Sequence, residues 1–214
     1  MSTLEVEEQE HSHCDTVAEN GPTPTSYFDL SRVVLICPSL ERVDLVRDMV
    51  HSFNDITPDP KPPVVVVASG REDSTEGWCI NNGVAVIRSE QQLSYAKAVN
   101  LAVKNLAPSL FDWVMLVNND IVLNPGFWSG FQYMADHHYD VIGAKLLYPN
   151  GTIQHYGKWF TLDFYPFHVL RYMPAEHEDA QIPRAYPDVT FACVAIKKEL
   201  WDELGGLDEA FENG

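Results

Sequence analysis

The run Trp113-Val114-Met115-Leu116-Val117 contains no polar residue and no helical spacing, and it stops abruptly in Asn118-Asn119-Asp120. A short apolar stretch rich in β-branched and aromatic residues reads as a strand covered on both faces, which places it inside a parallel sheet flanked by helices. Polar residues at the carboxyl end of such a strand stand where open α/β sheets bind ligands. Asn119 and Asp120 project to opposite faces of that strand. One carboxylate and two amides there can hold a divalent cation, a diphosphate and a sugar hydroxyl. Followed by Asn124-Pro125-Gly126, the same residues also suit ordinary turn chemistry, and the triplet alone leaves both readings open.

The flanking sequence repeats the strand-then-helix rhythm. Val33-Val34-Leu35-Ile36-Cys37 is a first buried strand, stopped by Pro38. A helix over 41–53 carries Val43, Val46, Val50 and Phe53 inward, and a Pro-rich loop runs from Thr57 to Pro63. Strands follow at 64–68 and 84–87. Ser89 and Gln92 form a capping box for a helix that reaches Leu106. After Asp120 come a helix over 125–138, an apolar segment from Val141 to Leu146, and a turn at Pro149-Asn150-Gly151. The segment 156–172 is rich in aromatics, most of them expected in the core. Residues 174–187 read as an acidic surface loop, Asp188 to Ile196 as a strand, and Lys198 to Leu204 as a short helix. The expected fold class is α/β: one domain over 29–214 with a mostly parallel, doubly wound sheet and a short antiparallel addition. Asn100 lies on its helix's apolar stripe of Leu93, Ala96, Val103 and Leu106. A buried amide there needs partners, either a neighbouring loop or a ligand at the sheet edge.

Charge narrows the function. A net charge of −17 argues against a nucleic-acid surface, because phosphates demand Lys and Arg. An acidic protein that takes an anionic substrate must neutralise it locally. Residues 1–28 carry Glu5, Glu7, Glu8, Glu10, Asp15 and Glu19 with no Lys or Arg, and read as a disordered acidic tail. No apolar leader and no run of membrane-spanning length are present. Cys14, Cys37, Cys79 and Cys193 show no Cys-x-x-Cys spacing. Together these features lead to the expectation of a cytoplasmic protein with reduced thiols.

Four segments resemble family 2 glycosyltransferases with the GT-A fold, rhamnosyltransferase-like members above all. Ala68-Ser69-Gly70-Arg71-Glu72-Asp73-Ser74-Thr75 stands where that family has Asp-Asn-Gly-Ser-x-Asp-x-Ser/Thr, and Asn118-Asn119-Asp120 stands at its metal-binding Asp-x-Asp position. The stretch from Gly143 to Gly157 is similar to a long family signature, and Gly205-Gly206-Leu207-Asp208-Glu209-Ala210-Phe211 to its Gly-Gly-x-Asp-Glu-x-Phe element. The resemblance implies transfer of a sugar from a nucleoside-diphosphate donor to a carbohydrate or glycoconjugate hydroxyl, with inversion and the help of Mn²⁺ or Mg²⁺. It implies Asp120 as the metal ligand. Pro38, Ser39, Ser69, Asp73, Asn100, Asn118 and Asn119 become candidate donor contacts, and Asp208, Glu209 and His155 candidates for the general base. Trp159 or Tyr165 could stack an acceptor sugar. Three departures stand out: Ala68 replaces the Asp that reads the base, Asn118 replaces the first metal carboxylate, and the family's acidic pair lies beyond Gly214. A chain without its base would be a nucleotide-sugar-binding module that does not catalyse, or a domain truncated at its C-terminal end.

Overall fold

A computed structural model describes residues 27–71 and 74–211. The elements run β1 (Val33–Leu40), α1 (Val43–Ile56), β2 (Val64–Ser69), α2 (Ser74–Asn81), β3 (Ala85–Ser89), α3 (Tyr95–Lys104), β4 (Trp113–Val117), α4 (Phe127–Asp136), β5 (Val141–Gly143), β6 (Leu146–Leu147), β7 (Ile153–His155), β8 (Lys158–Phe160), β9 (Pro166–His168), β10 (Cys193–Lys197) and α5 (Lys198–Leu204). The central sheet has the order β3-β2-β1-β4-β10-β5. The pairs from β3 to β4 are parallel, and β10 runs antiparallel to both β4 and β5. This is the mostly parallel sheet with an antiparallel addition that the sequence implies.

The apolar runs have no alternation because each strand feeds two cores. Val33, Leu35 and Cys37 pack with Trp113, Met115 and Val117 against Val46, Met49, Val50 and Phe53 of α1 and Phe131 of α4. Val34 and Ile36 turn the other way, with Val114, Leu116, Val65 and Val67, onto Ala98, Val99 and Ala102 of α3 and Trp201 of α5. Helices on both faces are what permit every position of β4 to be apolar.

Several boundaries differ from the sequence reading, each for a local reason. Pro38 does not stop β1. Leu35 N–H donates to Pro63 O on the β2 side, so alternate residues address alternate neighbours. The missing N–H of Pro38 therefore falls on the β4 side, beyond the last β1–β4 pair, Ile36 with Leu116. The strand continues and pairs Ser39 with Ala68 and Leu40 with Ser69. Ser89 is not a helix cap: it ends β3 opposite Ser69, and Ser94 caps α3 by accepting from Lys97 N–H. Helix α2 has no counterpart in the sequence reading, because a helix of so few apolar positions leaves almost no periodic signal.

The domain also begins earlier than expected. The tail reading extended to residue 28, but Phe28 is only 2% exposed and packs against Trp113 and Phe131 with ring centroids 5.2 and 5.9 Å apart. The remainder of the tail, residues 1–26, lies outside the described residues, as does Cys14. Cys37, Cys79 and Cys193 are buried and form no disulfide. Burial raises the Cys37 and Cys193 thiols, the latter to about 12, so both stay protonated core groups. The aromatic segment is the main departure in packing. β8 and β9 form a separate two-stranded hairpin, and Trp159, Phe160, Phe164, Tyr165 and Phe167 on it are exposed. A hairpin outside the main sheet has no helix to cover it, so these rings do not join the core.

Candidate functional site

The carboxyl ends of β3, β2, β1 and β4 converge on one edge of the sheet. At the β4 end, Asn118 and Asn119 are half-buried and Asp120 is exposed. Asn118 N–H donates to Ala192 O, and Ile121 N–H closes back on Asn118 O. The triplet is thus a turn, and it stands at the carboxyl edge of the sheet. A turn at that edge does not exclude a site.

Polar side chains link this turn to the next strands. Asn119 Nδ2 donates to Ser39 Oγ at 3.1 Å, and Ser69 Oγ donates to Ser39 O at 3.3 Å. Ser39 and Ser69 are both buried. Ser69, Ser39 and Asn119 therefore run as one bonded line from β2 across β1 to the residue before Asp120. Pro38 precedes Ser39 on β1. Asp120 also sits near Arg42, whose guanidinium is raised chiefly by Asp44 and further by the Asp120 charge. No salt bridge or hydrogen bond takes up the Asp120 carboxylate among the described residues. Those residues also include no cluster of three or more His, Cys, Asp or Glu side chains placed around a cation. The donor set is one free carboxylate with neighbouring amides. It fits Mg²⁺ or Mn²⁺ only where ligand oxygens and water complete the shell.

At the other end of the line a cavity of about 500 Å³ opens between the β1, β2 and β3 ends, lined by Leu40, Glu41, Gly70, Arg71 and residues 90–92. Its size is that of small-molecule sites. Its floor is held by Arg88, whose guanidinium donates to Gly70 O at 2.6 Å, to Ala68 O and Arg71 O at 3.3 Å each, and to Ser89 O. Glu76 lies 3.7 Å from the same group. One planar donor set thus fixes the turn after β2. Glu41 and Arg88 escaped the sequence reading. Extending β1 past Pro38 puts Glu41 at a strand's carboxyl end, and an arginine within an otherwise apolar strand signals carbonyls to be satisfied.

Other candidates fall elsewhere. Asn100, expected among the donor contacts, braces the 205–209 turn instead. Its Nδ2 donates to Leu207 O at 2.8 Å and Glu209 Oε1 at 2.9 Å, and its Oδ1 accepts from Leu207 N–H at 2.9 Å. Both amide hydrogens and one lone pair of Oδ1 are thus engaged in this brace. Gly206 makes room for it: a Cβ there would lie 2.7 Å from Asn100 Oδ1. Glu209 is an acceptor in this brace, and Asp208 Oδ1 accepts from Ala210 N–H, so both carboxylates shape the turn. His155 is 1% exposed. Its Nδ1 lies 2.9 Å from His168 Nδ1, and its Nε2 accepts from Thr190 N–H. Burial, with help from His168 and Lys158, lowers its pKa to about 4. It is an internal hydrogen-bonder of β7. Asp73 lies outside the described residues.

Known proteins match this chain along most of its length. The sequence model described as "Glycosyl transferase family 2" matches residues 34–205, from the second residue of β1 to the end of α5. An uncharacterized Sinorhizobium fredii protein, y4gI, is 32% identical over 208 residues, covering 89% of this chain and 23% of its own length. The Myxococcus xanthus O-antigen biosynthesis protein RfbC is 28% identical over 193 residues, covering 85% of this chain and 15% of its own. The chain thus spans less than a quarter of either relative. Among solved structures, the Pyrobaculum calidifontis mannosyltransferase PcManGT in complex with GDP-Man and Mn²⁺ superposes with a TM-score of 0.60 at 18% identity, over 86% of this chain and 49% of that one. S. aureus TarS 1-349 with UDP gives 0.59 at 15% identity, over 85% and 51%. By the family match and the fold together, this chain belongs to glycosyl transferase family 2.

Proposed function

We propose that this domain binds a nucleoside-diphosphate sugar along the β3–β2–β1–β4 edge and passes the sugar to an acceptor hydroxyl with inversion. The observation that carries this reading is the bonded line Ser69–Ser39–Asn119, which joins the cavity at Gly70 to the free carboxylate of Asp120. The cavity and Asp120 are separated by about two strand spacings, or roughly 10 Å, the span from a base to its diphosphate. The nucleoside takes the cavity, and the diphosphate lies across Ser39 and Asn119 toward Asp120. Asp120, with Asn118 and Asn119 beside it, would hold Mn²⁺ or Mg²⁺, which when bound offsets charge on the leaving diphosphate. Because the chain offers one carboxylate there, metal and donor should bind together. The GDP-Man and Mn²⁺ bound to the Pyrobaculum enzyme support this reading.

In inverting transfer the acceptor oxygen attacks the anomeric carbon opposite the diphosphate. The new C–O bond forms as the old one breaks, and a base takes the hydroxyl proton. Exposed Trp159 and Tyr165 suit the apolar faces of a carbohydrate or glycoconjugate acceptor. A second reading, nucleotide-sugar binding without transfer, is favoured by the engagement of Asp208, Glu209 and His155 in structural hydrogen bonds. The test is to incubate the chain with UDP-, GDP- and dTDP-sugars, Mn²⁺ and an acceptor panel, and to follow both donor binding and diphosphate release. Acceptor-dependent release supports transfer. Saturable binding without release supports the second reading. No binding of any nucleotide-sugar refutes both.

A further inference from the structure

Resting on that donor-site reading, the geometry points to Glu41 as the residue that reads the donor's base, and to guanine as the base it selects. Ala68 cannot hydrogen-bond a base through its side chain, and Glu41 enters the cavity from the adjacent strand. Three features fix it there. Its backbone is held at φ 51, a conformation that costs a non-glycine residue energy and that clusters at ligand sites. Its Oε1 accepts from Arg71 N–H at 3.1 Å. Its side chain lies flat on the turn only because Gly70 has no Cβ, which would meet Glu41 Oε1 at 2.6 Å and Cγ at 2.8 Å. An exposed glutamate is normally free to wander; this one is clamped at a cavity lip with its second oxygen left over.

The chemistry of the lining selects among bases. The residues that line the cavity include Glu41 and Glu90, Gln91 and Gln92, and Arg71: two side chains that bear carboxylates, two that bear amides and one that bears a guanidinium. A carboxylate accepts only, so it favours an edge with adjacent donors. Guanine has that edge in its N1–H and N2–H₂ groups, and its O6 and N7 acceptors are the usual partners of an arginine. Uracil and thymine have one ring N–H between two carbonyl oxygens, which a carboxylate repels. Adenine has one amino donor beside an acceptor nitrogen. Of the four, guanine alone matches both a carboxylate and a guanidinium.

Calorimetric titration with GDP, UDP, dTDP and ADP in Mn²⁺, on the wild type, Glu41→Gln, Glu41→Ala and Asp120→Ala, tests this. GDP should bind the wild type at least about tenfold more tightly than UDP. Glu41→Gln should weaken GDP by about 10- to 100-fold, as expected for loss of a charged acceptor, and leave UDP close to unchanged. Glu41→Ala should do the same, and the thermal midpoints of both variants verify folding. Asp120→Ala should weaken all four nucleotides alike, because they share the diphosphate. UDP binding as well as GDP, or equal loss of all four in the Glu41 variants, overturns the assignment while leaving the donor site standing. Failure of every nucleotide to bind the wild type overturns the donor site and this assignment with it.

Discussion

Gly206→Ala and Asn100→Ala should be strongly coupled, because one removes the space that the other fills. Gly206 sits at φ +89, and a Cβ on it would lie 2.7 Å from Asn100 Oδ1. An L side chain in that backbone region costs about 1–2 kcal/mol. The amide must also withdraw, which weakens its 2.9 Å bond from Leu207 N–H and its 2.8 Å bond to Leu207 O, worth about 1 kcal/mol each. Gly206→Ala should therefore destabilise by about 2–4 kcal/mol. Asn100→Ala removes the same two bonds and the contact with Glu209, and should cost about 2–3 kcal/mol. In the Asn100→Ala background, however, Gly206→Ala meets no oxygen and keeps only its backbone strain. The double variant should be more stable than the sum of the singles predicts by about 1–2 kcal/mol. Urea unfolding of the four proteins measures this directly. Additivity within about 0.5 kcal/mol would refute the brace, and Asn100 would return to the candidate ligand contacts.

Truncation separates tail from domain: removing residues 1–26 should leave the melting temperature unchanged, whereas Phe28→Ala should cost about 3–5 kcal/mol because it empties a site among Trp113, Trp128 and Phe131. Arg88→Met should loosen the turn after β2, weakening nucleotide binding by about tenfold through loss of hydrogen bonds that hold its carbonyls, with kcat changed less than KM. His155 titrates near 4 in the fold against 6.5 when free, so the unfolded chain binds more protons between those values. Stability is complete above about pH 6.5 and falls as pH drops toward 4, by up to about 3 kcal/mol; in His155→Gln, denaturant midpoints measured across that range should lose this slope.

The strands were legible from sequence wherever burial on both faces removed alternation, as in 64–68 and 113–117. Helix α5 was legible because Gly205 marks its end. What escaped were features set by the third dimension. The pairing side of Pro38 decides whether β1 stops, and only the sheet order reveals it. Ser89 and Ser94 carry the same hydroxyl, and which one caps a helix depends on where β3 ends. Aromatic residues alone do not show that β8 and β9 stand clear of the main sheet, outside the cover of its helices. Within the site, Asn119 and Asp120 could be named because polar residues after an apolar strand are conspicuous, whereas Ser39 was reached only through the family resemblance. Glu41 could not, since it reaches the cavity through an unusual backbone angle and a missing Cβ at Gly70, at the end of the adjacent strand. Asn100 was conspicuous as a polar residue on an apolar stripe, and its partner turn lay more than a hundred residues downstream.

In the proposed site Asp120 anchors a metal-bridged diphosphate. Isothermal titration of the wild type and Asp120→Ala with GDP and UDP, each with and without Mn²⁺, measures that anchor. Mn²⁺ should tighten nucleotide binding to the wild type, Asp120→Ala should abolish this gain, and metal-free affinity and melting temperature should be the same in both proteins. An Asp120→Ala protein that keeps the full Mn²⁺-dependent gain would rule out Asp120 as the anchor and leave Asn118-Asn119-Asp120 as a turn alone.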